Sequence, residues 1–99
     1  MKNFRTYQLA KEVYLLLRPL KFNHSVKDQL ERASLSICLN LAEGLGKPTK
    51  KDRVKFYSIA MGSFRETQAV LDIYNITQFD GKLDYLGGSI YKLIKNPGL

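Results

Sequence analysis

The sequence has 99 residues, of which 44% are hydrophobic, and a formal net charge of +7. This length and composition predict one domain with a packed core, and together with a single Cys and a single His they exclude a large enzyme, a low-complexity chain and a disulfide scaffold. Because a chain of this size buries only about two-thirds of its unfolded surface, self-association is an expected way to bury more.

The first half of the chain predicts two amphipathic helices. Apolar residues at helical spacing indicate a first helix over Phe4–Arg18, which Pro19 ends. A second helix is predicted to start at Ser25, because a serine with an acidic residue three positions later, here Asp28, resembles a capping box. This helix is expected to run to about Gly44.

The second half predicts two more helices. Thr49 is expected to cap a long third helix that continues to about Gln78, and a fourth helix is predicted over Leu83–Lys95. Gly87-Gly88 should weaken this last helix by roughly 1 kcal/mol per glycine. Short connections between four helices favour an all-α, antiparallel, up-down-up-down bundle, which we expect to form a single domain over residues 1–99.

The positive charge is concentrated in one part of the sequence. Residues 1–60 hold twelve Lys and Arg against five acidic residues, whereas residues 61–99 hold four of each. The densest cluster comprises Lys47, Lys50, Lys51, Arg53 and Lys55. Such a cluster favours a polyanionic partner, with nucleic acid first and an acidic protein second, although solubility alone is a simpler interpretation. Phe56 and Tyr57 follow it but are predicted to lie in the core, so we expect phosphate contacts rather than base stacking.

The second helix is apolar almost all round, which predicts that it is buried on more than one side and forms a subunit interface. One narrow polar stripe runs along it, formed by Gln29, Arg32, Ser36, Asn40 and Glu43. At 100° per residue these side chains share an arc of about 80°. We interpret the stripe as a structural hydrogen-bond network that fixes helix register and oligomer geometry; a specific binding site is the alternative.

The third helix carries small residues on the face opposite its predicted core. This face comprises Ser58, Gly62, Arg65, Ala69 and Asp72. Small side chains allow helices to approach closely, so the face is predicted to be a packing surface. Arg65 is expected to belong to the same structural network, paired with Glu43 or Glu66.

Two motifs give the chain a family resemblance. The first comprises residues 29–33, the pair Ser36-Ile37 and residues 40–44, and the second is the segment 56–67. Together they resemble the signature of the 23S rRNA intervening-sequence protein family of four-helix-bundle proteins, and the similarity extends from Leu9 to Leu93. The chain departs from the family pattern at Glu31, where a basic residue is frequent, and at Lys47, where arginine is common.

The resemblance implies a bacterial protein without enzymatic activity. Members of the family are encoded in insertions within large-subunit ribosomal RNA genes and elsewhere in bacterial genomes. A related branch, the accessory protein of diversity-generating retroelements, forms a barrel-shaped homopentamer that associates with a reverse transcriptase and nucleic acid. We therefore expect a ring-like homo-oligomer, with a pentamer favoured, that binds nucleic acid. The alternative is an adaptor that docks an acidic partner protein such as a reverse transcriptase-type enzyme.

The residues themselves argue against catalysis. A carboxylate-bridged metal site in a bundle needs Glu-x-x-His pairs, and the single histidine, His24, lies in the predicted loop before the second helix. Cys38 has no partner for a disulfide and lies about four helical turns from His24, so a buried thiol in a reducing compartment is expected. We expect no catalytic residue, metal or cofactor, no membrane segment or signal peptide, and a cytoplasmic location.

Overall fold

The computed structural model describes residues 4–98, and these residues contain four α-helices and no strand. The helices are α1 (Arg5–Leu17), α2 (His24–Leu45), α3 (Lys50–Ile73) and α4 (Asp80–Lys95). Each helix packs against its neighbours in the chain, and α1 also packs against α4, which closes the bundle. The resulting molecule measures 42 × 24 × 22 Å. The prediction of an all-α four-helix bundle is confirmed.

The two helices α2 and α3 have side-chain caps at their N-termini. The prediction that Thr49 caps α3 is confirmed, because its hydroxyl accepts a hydrogen bond from the Asp52 backbone N–H at 3.1 Å. The prediction that Ser25 caps α2 is wrong. The cap is Asn23, whose side-chain oxygen accepts from the Val26 N–H at 3.0 Å, and Ser25 lies within the first turn. Asparagine caps helices at least as well as serine, and here it stands at the residue where the backbone is still extended.

The third helix is shorter than predicted: it ends at Ile73, whereas the sequence predicted an end near Gln78. Asn75 adopts a left-handed backbone conformation with φ of 57°, which terminates the helix. The Ile76 N–H then donates to the Leu71 carbonyl at 2.9 Å and brings the chain back over the core. The shortening leaves enough chain for α4 to start at Asp80, one turn before the predicted position.

The core runs along the axis of the bundle and takes side chains from every helix. Its largest fully buried apolar side chains are Val13, Ile37, Leu41, Tyr57, Leu71, Leu86 and Ile90. Two glycines allow neighbouring helices to approach closely. A Cβ atom at Gly44 would lie 2.6 Å from the Tyr57 ring, and one at Gly87 would lie 2.8 Å from the Phe64 ring. Gly87 is therefore a packing residue as well as a weak helix former.

Within residues 4–98, none of the four helices combines the length and the apolar character that crossing a membrane requires.

Candidate nucleic-acid interface

One end of the bundle carries the positive charge, and we call it the basic end. It is the end at which α1 and α3 begin and α2 and α4 finish. Its cationic residues are Lys47, Lys50, Lys51, Arg53, Lys55, Lys92 and Lys95. Arg5, at the start of α1, instead extends to Tyr85, which lies ten residues before the end of α4. Only two acidic residues, Glu43 and Asp52, lie at the basic end. The rest of the described chain has eight basic and seven acidic residues, so five of the six excess positive charges of residues 4–98 lie at this end.

Three of these cations lie in the first turns of α3. Lys50, Lys51 and Lys55 are exposed and form no ion pair with any residue in the range 4–98. The helix start contributes a partial positive charge through its free backbone N–H groups, which adds to the lysine charges. An anion at this position would therefore meet both side-chain and main-chain potential.

Lys47 is partly neutralised by its surroundings. Its ammonium lies 3.0 Å from the Glu43 carboxylate and 5.0 Å from the centre of the Phe56 ring. Lys55 lies over the same ring at 5.8 Å. Phe56 is thus covered by two lysine side chains, and Tyr57 is buried in the core. Of these two rings, which follow the cluster in the sequence, Tyr57 is inaccessible and Phe56 is half-buried.

Arg53 is a structural anchor rather than a free cation. Its Nε donates to the Lys47 carbonyl at 2.9 Å, and its Nη1 donates to the Pro97 carbonyl at 3.3 Å. The side chain therefore joins the α2–α3 loop to the segment that follows α4. Burial raises the pKa of the neighbouring Tyr57 hydroxyl, and the Arg53 charge and hydrogen bond oppose that rise. Proximity in the sequence grouped Arg53 with the lysines, but its partner Pro97 is 44 residues away.

Part of the predicted polar network lies along the seam between α2 and α3. Gln29 donates to the Glu66 carboxylate, and the hydroxyls of Ser36 and Ser63 are 2.8 Å apart. Asn40 donates to the Ser36 carbonyl at 2.9 Å and contacts its hydroxyl at 3.1 Å. Gln29 and Glu66 are exposed and the other three are half-buried, so the seam opens to the surface of the subunit. Ser63 was not among the predicted residues.

The other residues of the predicted network lie apart from this seam bonding. Glu43 pairs with Lys47, and Arg32 is exposed without an ion pair among residues 4–98. Among residues 4–98, Arg65 forms no ion pair with Glu43 or Glu66. It instead lines an open groove of about 540 Å³ at the opposite end of the bundle. The acidic residues of that groove are Asp72, Asp80 and Asp84. The sequence did not predict the groove, because it forms only where the end of α3 meets the start of α4.

Large apolar side chains remain exposed on the outer faces of the bundle. On α2, Leu35 and Leu39 are 39% and 58% exposed, and they lie on the side of the helix that faces away from the core. On α3, Ile59 and Ile73 are also exposed. The small residues Ser58, Gly62 and Ala69 of α3 are exposed as well, so they are not covered by any other part of residues 4–98.

The remaining reactive groups, Cys38 and His24, lie fourteen residues apart on α2. Burial raises the pKa of the Cys38 thiol to about 11, so the thiol is neutral at pH 7. His24 is exposed and lies 3.2 Å from the Asp28 carboxylate. Residues 4–98 contain no group of three or more His, Cys, Asp or Glu side chains that could hold a metal ion.

These features define a small four-helix-bundle protein with a strongly basic end and exposed apolar helix faces. The sequence pattern of the 23S rRNA-intervening sequence protein family matches residues 4–94, which is nearly the whole chain. The protein therefore belongs to this family, and the resemblance seen in its two motifs is confirmed. Comparison with curated proteins and with solved structures gives no significant match.

Proposed function

We propose that this protein is a non-catalytic, self-assembling protein that binds RNA and DNA through phosphate contacts, without strong sequence specificity. The observation that carries the proposal is that five of the six excess positive charges of residues 4–98 lie at the basic end. Phosphate contacts from lysines supply affinity without reading bases, so binding should be broad in sequence and sensitive to salt. The lysines best suited to this role are Lys50, Lys51 and Lys55, since they are exposed and unpaired among residues 4–98.

Self-assembly is the second part of the proposal. The exposed Leu35 and Leu39 of α2 and the small residues on the outer face of α3 give the subunit apolar surface that a second copy would cover. The homopentamer of the related accessory proteins of diversity-generating retroelements favours a ring of five subunits. Each subunit would contribute one basic end, and several weak contacts made together would bind one nucleic acid strongly through avidity.

The test compares two triple variants that change the net charge equally. The first carries Lys50→Glu, Lys51→Glu and Lys55→Glu at the basic end. The control carries Lys11→Glu, Arg18→Glu and Lys21→Glu, which are exposed positions outside that end. Arg53 is left intact, because its removal would disturb the loop that it anchors. Circular dichroism and light scattering check that helix content and assembly mass are unchanged.

Binding is measured by fluorescence anisotropy on mixed-sequence RNA and DNA probes at two salt concentrations. We expect the basic-end variant to lose at least tenfold in affinity and the control to lose much less. The affinity of the parent protein should fall as salt is added. The logarithm of the binding constant should change against the logarithm of the salt concentration with a slope near −0.9 per duplex phosphate neutralised. Equal losses in both variants would contradict a localised site. No binding by the parent would favour the alternative, an adaptor whose basic end docks an acidic partner protein such as a reverse transcriptase-type enzyme.

A further inference from the structure

The last turn of α4 presents an open aromatic ring among lysines at the basic end. Tyr91 is 54% exposed, and the Lys95 ammonium lies 5.4 Å from the centre of its ring. Lys92, in the same turn, is exposed. The core side of this helix is formed by Leu86 and Ile90, so Tyr91, one residue after Ile90, is turned about 100° away from the core axis.

The other aromatic rings in this part of the bundle are less accessible or already hydrogen-bonded. Phe4 and Phe56 are half-buried. Tyr57 is buried, and Lys47 and Lys55 lie over the Phe56 ring. Tyr85 is exposed, but its hydroxyl accepts hydrogen bonds from Arg5 at 2.6 and 3.2 Å, and the same guanidinium lies 5.3 Å from its ring centre. The hydroxyl of Tyr91, in contrast, forms no hydrogen bond with residues 4–98, and one lysine, Lys95, lies beside its ring.

The anchor formed by Arg53 holds this turn next to the start of α3. Arg53 belongs to the second turn of α3, and its bond to the Pro97 carbonyl fixes the segment that directly follows α4. Because α3 and α4 are antiparallel neighbours, the last turn of α4 and the first turn of α3 lie at the same end. Lys92 and Lys95 therefore lie at the same end of the bundle as Lys50 and Lys51, although more than forty residues separate them in the chain.

We infer that the last turn of α4 belongs to the nucleic-acid interface and makes it a binder of single strands. Lys92 and Lys95 contact phosphates, and Tyr91 stacks on an unpaired base. An aromatic ring can stack on a base only where the base is free of its own neighbours, as in a single strand, whereas lysines serve single strands and duplexes alike. The inference rests on the proposed function and adds to it the class of nucleic acid that the site prefers.

The experiment separates stacking from charge with single substitutions at Tyr91. Tyr91→Leu removes the flat ring and keeps an apolar side chain, Tyr91→Phe keeps the ring, and Tyr85→Leu is the control for an exposed tyrosine on the same helix. A fourth variant, Lys92→Glu with Lys95→Glu, tests the phosphate contacts. Affinity is measured by anisotropy for an unstructured single-stranded RNA 20-mer, the DNA 20-mer of the same sequence, and the duplex of that DNA.

We expect Tyr91→Leu to weaken single-strand binding about fivefold or more, which corresponds to the loss of roughly 1 kcal/mol of stacking per base, and to change duplex binding less than twofold. Tyr91→Phe and Tyr85→Leu should bind like the parent, and the double lysine variant should lose affinity for every probe. Parent-like single-strand binding by Tyr91→Leu would overturn this inference and leave the proposed function standing. Equal loss on single strand and duplex would also overturn it. No binding by the parent to any probe would overturn both.

Discussion

Two adjacent glycines in α4 show how strongly the effect of a residue depends on its neighbours. Gly87 faces the Phe64 ring, and an added Cβ would lie 2.8 Å from two of its ring carbons. A Cβ added at Gly88, one residue later, would have no neighbouring atom of the described residues within 4 Å. Sequence alone assigned both glycines the same cost to the helix. The structure divides them into one packing residue and one exposed residue.

We therefore predict opposite results for Gly87→Ala and Gly88→Ala. Gly87→Ala should lower the free energy of unfolding by about 1–3 kcal/mol, because the new methyl group forces Phe64 out of its place. Gly88→Ala should raise it by up to about 1 kcal/mol, because alanine is the better helix former and meets no neighbour. Urea unfolding followed by circular dichroism measures both values. A similar change in the free energy of unfolding of both variants would show that the Phe64 ring moves aside without cost.

Cys38 gives a prediction about pH. Burial raises the pKa of its thiol from 9.0 to about 11, which means that the folded state keeps the proton more tightly than the unfolded state does. The stabilisation is fully present below pH 9.0 and is lost as the pH rises towards 11. We expect Cys38→Ala to be less stable than the parent at pH 8, because it leaves a small cavity, and to lose less stability between pH 9 and pH 11. If the free energy of unfolding fell equally with pH in the two proteins between pH 9 and pH 11, the raised pKa would be contradicted.

At the scale of the helix, the caps decide where each element begins. Asn23→Ala should destabilise the protein by about 1 kcal/mol, since the Val26 N–H would lose its side-chain acceptor. Ser25→Ala is the matched control, because Ser25 is exposed within the first turn and caps nothing. Thermal melting of the two variants tests the assignment. A larger loss from Ser25→Ala would restore the cap that the capping-box pattern had indicated.

The helices could be predicted because their signals are local. Apolar spacing and the Thr49 cap depend on residues a few positions apart, and both are visible in the chain. The end of α3 could not be predicted in the same way, because it depends on the left-handed Asn75 and on Ile76 returning to the core. The helical spacing of apolar residues continues past Ile73, so it does not indicate where the helix ends.

The candidate site was predicted in part for the same reason. The lysines at the start of α3 form a run in the sequence, so composition alone identified them. Lys92, Lys95 and Tyr91 join them only through the antiparallel packing of α3 and α4. The role of Arg53 depends on its contact with Pro97 across the bundle, and no pattern in the chain indicates such a bond.

At the scale of the whole molecule, the exposed face of α2 predicts assembly. The parent should show by light scattering a mass several times the 11.3 kDa of the chain, with five subunits favoured. Leu39→Glu should reduce that mass, because it places a charge at the most exposed leucine of this face. Leu15→Glu, at an exposed leucine of α1, should leave it unchanged. A parent protein that remains a monomer at high micromolar concentration would contradict the interface.

The one-sided distribution of charge has a consequence for how the molecule meets a polyanion. Because five of the six excess positive charges of residues 4–98 lie at one end of a 42 Å body, each subunit has an electric dipole along its long axis. The field of a polyanion turns such a body during diffusion, so ionic strength should act mainly on the association rate. Symmetry decides whether an assembly keeps this property. A cyclic ring adds the axial components of its dipoles, whereas a dihedral assembly cancels them.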